Sequence, residues 1–220
     1  EKAQKIIHID MSPAEVDEHY MLECGVVGDI GAGLDAIAAQ ATPQPESKAR
    51  VLRETIVEEL NAHADDAAFP MAPQRIILDL RKALQPDDIV VSDVGAHKMW
   101  MARMYQAERP NTCIISNGFA SMGIGLPGAI AARLAFPDRT AVTVTGDAGF
   151  LMNSQEIETA LRIGVAIVVL VWNDSKYGLI KWHQDRRFSR DTQVEINNPY
   201  FVKYAESFVA KGYRDEASDD

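Results

Sequence analysis

From Pro73 onward, short apolar runs alternate with stretches patterned for helix, and this alternation constrains the fold more than any other feature of the chain. The pattern predicts a helix over 74–84, with Ile76, Ile77, Leu80 and Leu84 on one face, then a strand at Ile89–Ser92. A helix over His97–Gln106, a strand at Cys113–Ile115, a helix over Gly123–Leu134 and a strand at Thr140–Thr145 follow. A helix over Ser154–Ile163 and a strand at Ala166–Val171 complete the series. Strands separated by ~10–15-residue helical patterns read as βαβ units, so the expected class is α/β, a parallel sheet flanked by helices. Ligands in such sheets sit beyond the carboxyl ends of the strands. Functional residues are therefore expected just after Ser92, Ile115, Thr145 and Trp172.

The part before Pro73 is patterned differently. Lys5–Asp10 reads as a buried strand, and Ser12-Pro13-Ala14-Glu15 as a helix start, with Ser as N-cap, Pro at the first helical position and Glu at the third. Gly25–Asp29 reads as a second short strand and 34–39 as a helix. Two strands are too few to stand alone, so residues 1–40 are expected to be the C-terminal part of a second α/β domain, in a piece cut from a longer chain. A Pro-containing break at Ala41–Ser47, an exposed amphipathic helix over Lys48–Asp66 and a break at Ala67–Pro73 make 41–72 a connector. Residues 73–220 then form the main domain, lacking its last elements.

Composition narrows the function classes. The chain has 220 residues, 47% hydrophobic and 25% charged, with a net charge of −10. The longest apolar run, Val165–Trp172, is strand length, far short of the ~18 residues a membrane span needs. An acidic chain repels phosphate backbones over most of its surface, which argues against nucleic-acid binding. Cys24 and Cys113 each sit in an apolar stretch without metal-ligand spacing, as buried thiols of a reducing, cytoplasmic compartment would. Backbone amides and a metal ion can still bind one phosphate group without net positive charge.

Two strand ends carry the chemistry such a site needs. After Thr145 comes Gly146-Asp147-Ala148-Gly149-Phe150, then a helix with Asn153 or Ser154 expected as its cap. Glycines allow close backbone approach, a helix N-terminus offers free N–H groups, and Asp147 adds a carboxylate. A phosphate and a carboxylate repel unless a cation lies between them, which suggests Mg²⁺. A plain strand–turn–helix junction with Asp as a cap fits the same residues. After Trp172 comes Asn173-Asp174-Ser175-Lys176-Tyr177-Gly178, a second acid at a strand end, or simply an Asn-Asp turn. If the two strands are neighbours, Asp147 and Asp174 converge.

Taken together, Gly-Asp-Ala-Gly followed about 27 residues later by Asn-Asp resembles the diphosphate-binding motif of thiamine-diphosphate-dependent enzymes. Ser92–Trp100 resembles that family's Gly-x-His-x-x-Trp segment, and Ser116–Pro127 its Gly-rich turn before a buried helix. With Gly146–Ile163 and Asn198-Pro199-Tyr-Phe-Val-Lys-Tyr-Ala-Glu-Ser-Phe, the tracts are most similar to the acetolactate (acetohydroxyacid) synthase large subunit. The resemblance implies thiamine diphosphate and Mg²⁺ as cofactors, with flavin (FAD) open. It implies Asp147, Asp174 and the Lys176 carbonyl as metal ligands. Gly95, Ala96, His97, Gly146, Ala148, Gly149 and Tyr177 would meet the cofactor, as would Ala120, Ser121 and Met122, with Met122 as the wedge beneath it. Tyr177, Ile180 and His183 would line the substrate side; His183 falls where a Trp is usual in the anabolic enzymes.

The reaction implied is condensation of two pyruvates to 2-acetolactate with loss of CO₂, in a homo-oligomer acting on small 2-ketoacids. The family's pyrimidine-binding domain, which supplies the activating Glu, usually from a partner subunit, has no counterpart here. No catalytic residue is therefore assigned, and the chain alone is expected to be inactive. The alternatives are a 2-ketoacid decarboxylase, glyoxylate carboligase or sulfoacetaldehyde acetyltransferase on the same scaffold. A nicotinamide-binding domain is disfavoured, because Gly123-x-Gly125-x-x-Gly128 contains Pro127 and lacks the acid ~20 residues on. A non-enzymatic homologue is disfavoured by the intact Asp147/Asp174 pair.

Overall fold

A computed structural model describes residues 5–13, 22–42 and 48–215. Ala14 and Glu15 of the expected helix start, most of the first Pro-containing break and the acidic run after Asp215 lie outside the described residues. The chain divides into two compact units, residues 1–50 and 51–220.

In the first unit, β1 (Ile6–Asp10) and β2 (Leu22–Val27) pair in parallel and α1 (Ile30–Ala38) follows. Asp29 starts α1 by accepting a 2.8 Å hydrogen bond from the Ala32 N–H, which satisfies one of the donors left free at a helix N-terminus. The expected burial of the first strand is not found. β1 is half-buried and β2 mostly exposed, because among the described residues of this unit two strands and one helix have too little to cover them.

The second unit holds α2 (Lys48–Asn61, which begins just before the boundary), α3 (Pro73–Ala83), β3 (Ile89–Ser92), α4 (Ala96–Met104) and β4 (Cys113–Ile115). It continues with α5 (Gly125–Ala135), β5 (Ala141–Gly146), α6 (Asp147–Asn153), α7 (Glu156–Arg162), β6 (Val168–Trp172), α8 (Gly178–Phe188) and α9 (Phe201–Ser207). The strands form one all-parallel sheet in the order β4-β3-β5-β6. β3 and β5 are almost wholly buried, as near-continuous apolar central strands of a parallel sheet must be. Pro73 at the first turn and Arg81 and Lys82 at the last suit the two ends of α3.

Three clusters make up the core: a small one of Ile89, Val91, Ala129, Ala132 and Ala141, and two larger ones on the main faces. Ile77, Val90, Met101, Met104 and Val144 gather on one, joined by Leu60 and Ile56 of α2. Leu126, Ile130, Phe150, Ile157 and Ala160 gather on the other, joined by Phe201, Tyr204 and Phe208 of α9. The order of strands reverses direction between β3 and β5, so the switch point where open α/β sheets bind ligands lies between their carboxyl ends.

The helix expected at Ser154–Ile163 is observed as α7, but the turn before it is itself helical: α6 begins at Asp147, directly after β5. Gly146 is its extended N-cap, and Asp147 sits in the first turn, where a carboxylate is favoured by the helix dipole. Neither Asn153 nor Ser154 caps α7. The Asn153 amide instead donates to the Gly123 carbonyl at 2.8 Å, and the Ser154 hydroxyl pairs with the Tyr204 hydroxyl at 2.8 Å.

Candidate functional site

At the carboxyl end of the sheet lies an open groove of about 1760 Å³. Its lining brings together Gly95, Ala96 and His97 after β3, Ala120 and Met122 before α5, Gly146–Gly149 after β5, and Asp174, Lys176, Tyr177 and Ile180 after β6. Ser121 and His183 are exposed and do not line it; the His183 ring packs edge-on against Trp182 instead.

β5 and β6 are hydrogen-bonded neighbours, so the two acids do fall at adjacent strand ends. Asp147 is buried, with 1% of its surface exposed. Its Oδ1 accepts from the Ala148 N–H at 2.8 Å, and its Oδ2 accepts from the Ser175 N–H at 2.6 Å and the Asn198 amide at 2.5 Å. Asp174 is exposed, yet partial desolvation and then the nearby Asp147 charge raise its pKa from the ordinary value, with hydrogen bonding to the Lys176 backbone opposing the rise. A carboxylate whose ionisation is opposed by a neighbouring carboxylate's charge is one that a cation relieves.

His97 is buried at the start of α4, and its Nε2 lies 3.0 Å from the Asp93 carbonyl oxygen, so Nε2 carries the hydrogen and donates. Its pKa is lowered by burial, against the opposing pull of Asp93. The other edge of the ring faces a backbone cradle: a Cβ at Gly95 would stand 2.9 Å from its Cε1, and one at Gly146 would stand 3.5 Å from its Nδ1. The absence of side chains there keeps the strand ends open for close approach.

Among the described residues, no three His, Cys, Asp or Glu side chains gather as a self-sufficient metal cluster. The acids near one another at the strand ends are two carboxylates, which suits Mg²⁺, an ion commonly held by one or two carboxylates together with phosphate oxygens. Asn198 Oδ1 is a buried acceptor with no donor, and water on a hydrated cation could supply one. A diphosphate with Mg²⁺ therefore fits these residues.

Three residues had no role assigned from sequence. Asp93 is 1% exposed and accepts from the N–H groups of Val94, Gly123 and Gly125 at 2.5, 2.9 and 3.0 Å, fixing the turn that carries Met122. Its place immediately after β3 was the available signal. Trp172 ends β6 with its ring 6.3 Å from that of His97. Asn198 reaches Asp147 from a segment with no predicted element, marked in sequence only as the start of the Asn198–Phe208 tract of the family resemblance.

The fold is a parallel α/β sheet with acids and glycines at adjacent strand ends, and the chain belongs to the thiamine pyrophosphate enzymes. Residues 93–220 match the family described as thiamine pyrophosphate enzyme, C-terminal TPP binding domain. The chain is 36% identical over 219 residues to the acetolactate synthase of Bacillus subtilis (strain 168), with 97% of this chain and 38% of that protein aligned. It is 32% identical over 222 residues to the catabolic acetolactate synthase of Raoultella terrigena, covering 97% of this chain and 39% of the relative. A probable acetolactate synthase large subunit of Methanocaldococcus jannaschii is 34% identical over 228 residues, covering 98% and 38%. The chain thus spans well under half the length of these relatives. No helix among the described residues is long and apolar enough to cross a membrane.

Proposed function

We propose that this chain is the diphosphate-binding portion of a thiamine-diphosphate- and Mg²⁺-dependent enzyme that condenses two pyruvates to 2-acetolactate with release of CO₂. The observation that carries the reading is the meeting of Asp147 and Asp174 at the ends of adjacent strands, beside the buried His97 and the glycine cradle. The similarity to acetolactate synthases supports the choice of reaction.

In this reading Asp147, Asp174 and the Lys176 carbonyl hold Mg²⁺. Gly95, Ala96, His97, Gly146, Ala148 and Gly149 surround the diphosphate. Ala120 and Met122 meet the aminopyrimidine, with Met122 as the wedge. Tyr177 and Ile180 lie toward the 2-ketoacid. Bound thiamine diphosphate supplies the electron sink that decarboxylation of a 2-ketoacid requires. His97, which donates at Nε2 to the Asp93 carbonyl, would turn its Nδ1 edge toward the diphosphate.

Residues 73–220 act as the diphosphate-binding domain, 41–72 as a connector and 1–40 as the end of a neighbouring domain. The activating Glu comes from a pyrimidine-binding domain, usually in a partner subunit of a homo-oligomer, so the 220-residue chain alone turns over no 2-ketoacid. Cys24 is exposed and Cys113 half-buried, rather than both buried as expected from sequence; as unpaired thiols they suit a reducing, cytoplasmic setting.

The test is calorimetric titration of thiamine diphosphate with Mg²⁺ into the chain, beside Asp147→Ala and an EDTA-treated sample. Metal-dependent binding that Asp147→Ala abolishes is expected. Binding that is indifferent to both Asp147 and metal would sink the site. Product analysis on the full-length protein then decides the reaction, acetolactate being expected and acetaldehyde alone refuting it.

A further inference from the structure

The loop after β6 is held against the end of β5 by one side chain. Asn198 Nδ2 lies 2.5 Å from Asp147 Oδ2, 2.9 Å from Asn173 Oδ1 and 3.4 Å from Ser175 Oγ. An ionised carboxylate is acceptor-only, and an amide oxygen cannot donate, so the Asn198 nitrogen must face Asp147 and Asn173. The orientation of the amide is thereby fixed by its neighbours. The backbone brings Asn198 into place independently. Residues 194–196 run antiparallel to 175–177, with the Tyr177 N–H donating to the Val194 carbonyl at 2.8 Å and the Ile196 N–H to the Ser175 carbonyl at 3.0 Å. Val194, 3% exposed, anchors this short ribbon.

The consequence bears on Asp147. Its Oδ2 receives two donors, the Ser175 N–H and the Asn198 amide, and its Oδ1 receives the Ala148 N–H. The carboxylate is thus locked in rotation, and the one remaining lone pair, on Oδ1, has a fixed direction. Asn198 also ties the loop bearing Asp174 to the helix bearing Asp147, so the separation of the two acids is set by a bond rather than by loop tension.

We propose that Asn198 is a positioning residue of the cation site, holding the Asp147 carboxylate and the Asn173–Ser175 loop in one geometry before a divalent cation arrives. This rests on the reading of Asp147 and Asp174 as cation ligands. Partners that orient a ligating carboxylate are typically worth about 10–100-fold in metal affinity.

The test uses the whole chain with Mn²⁺ as the probe, bound in the presence of thiamine diphosphate and read by electron paramagnetic resonance. The variants are Asn198→Ala and Asp147→Ala. Asn198→Ala is expected to weaken Mn²⁺ binding about 10–100-fold while Asp147→Ala abolishes it. Wild-type affinity in Asn198→Ala, with Asp147→Ala still dead, overturns the role of Asn198 and leaves the cation site standing. Equal affinity in the wild type and Asp147→Ala, or none in either, overturns the cation site and Asn198's role with it. A second measurement needs no variant at position 198. In the wild-type chain the Asn198 side-chain amide protons should exchange slowly with water by nuclear magnetic resonance, and quickly in Asp147→Ala. Fast exchange in the wild type refutes the clamp.

Discussion

Asp93→Asn is the substitution that tests the architecture of the site most sharply, because it removes one hydrogen-bond acceptor and almost no volume. The Asp93 carboxylate is buried between β3, the 123–125 turn and β5. Its Oδ1 accepts the N–H groups of Val94 and Gly123; its Oδ2 accepts the N–H of Gly125 and lies 3.3 Å from the Thr145 hydroxyl. An asparagine must put its NH₂ on one side or the other. On the Oδ1 side it would face two N–H groups. On the Oδ2 side it faces one N–H, while Thr145, which also donates to the Gly146 carbonyl at 3.0 Å, can turn to accept. The second orientation wins and leaves the Gly125 N–H without an acceptor.

Losing a charge-assisted bond and stranding a buried donor costs about 2–4 kcal/mol. For a unit of this size that lowers the melting temperature by roughly 4–16 °C. Trp100, Trp172 and Trp182 all lie in the second unit, so tryptophan fluorescence reports its melting without interference from the first. Asp138→Asn, on an exposed residue, should stay within about 0.5 kcal/mol. A melt of Asp93→Asn indistinguishable from Asp138→Asn would refute the claim that a buried carboxylate organises the turn.

Other perturbations follow from single contacts. Gly125→Ala gains about 1 kcal/mol of helix propensity but drives a Cβ into the Thr143 hydroxyl and to 3.0 Å from Asp93 Cβ. Overpacking there should cost about 3 kcal/mol and win, whereas Gly118→Ala, with open space around it, should be near neutral in the same melt. Ile77→Ala empties a fully buried position under the sheet and should cost about 2–5 kcal/mol by urea unfolding. Burial holds the folded-state pKa of His97 below its ordinary 6.5, so the unfolded chain binds the proton first on acidification. Its contribution to stability is intact above about pH 6.5 and is lost as the pH falls toward the folded value. His97→Gln should flatten that part of the stability–pH curve; an unchanged slope would show that another group carries it.

The elements that sequence revealed and those it hid differ by the range of the forces that make them. β3, β5 and β6 are dense apolar runs, and their type follows from local pattern alone. The rule that ligands gather at carboxyl ends then placed Gly95, His97, Asp147 and Asp174 in one region. Whether Asp147 and Asp174 meet depends on β5 and β6 being neighbours, which no local pattern states and only the packed sheet decides. The helical start at Asp147 was hidden by Gly146 and Gly149, weak helix formers that read as a loop. What overrides them is non-local: Ser175 and Asn198 satisfy the Asp147 carboxylate from across the groove. Likewise α9 has only seven residues and owes its place to Phe150, which meets Phe201 and Tyr204 edge-on at 5.6 and 6.1 Å.

The same distinction separates the groups that would bind from the groups that hold them. Binding groups must project from strand ends and helix starts, so a strand pattern followed by Gly, Asp or His exposes them to inspection. Holding groups act through bonds between segments distant in sequence, as Asp93 does to Gly123 and Gly125 and Asn198 does to Asp147. Their residue types, an Asp after a strand and an Asn before a Pro, are those of ordinary turns. Such residues become legible only when the packed sheet shows which donors and acceptors it leaves for them to satisfy. A buried carboxylate or amide that satisfies them sets where the binding atoms stand, and perturbing it should move affinity without touching any ligand atom.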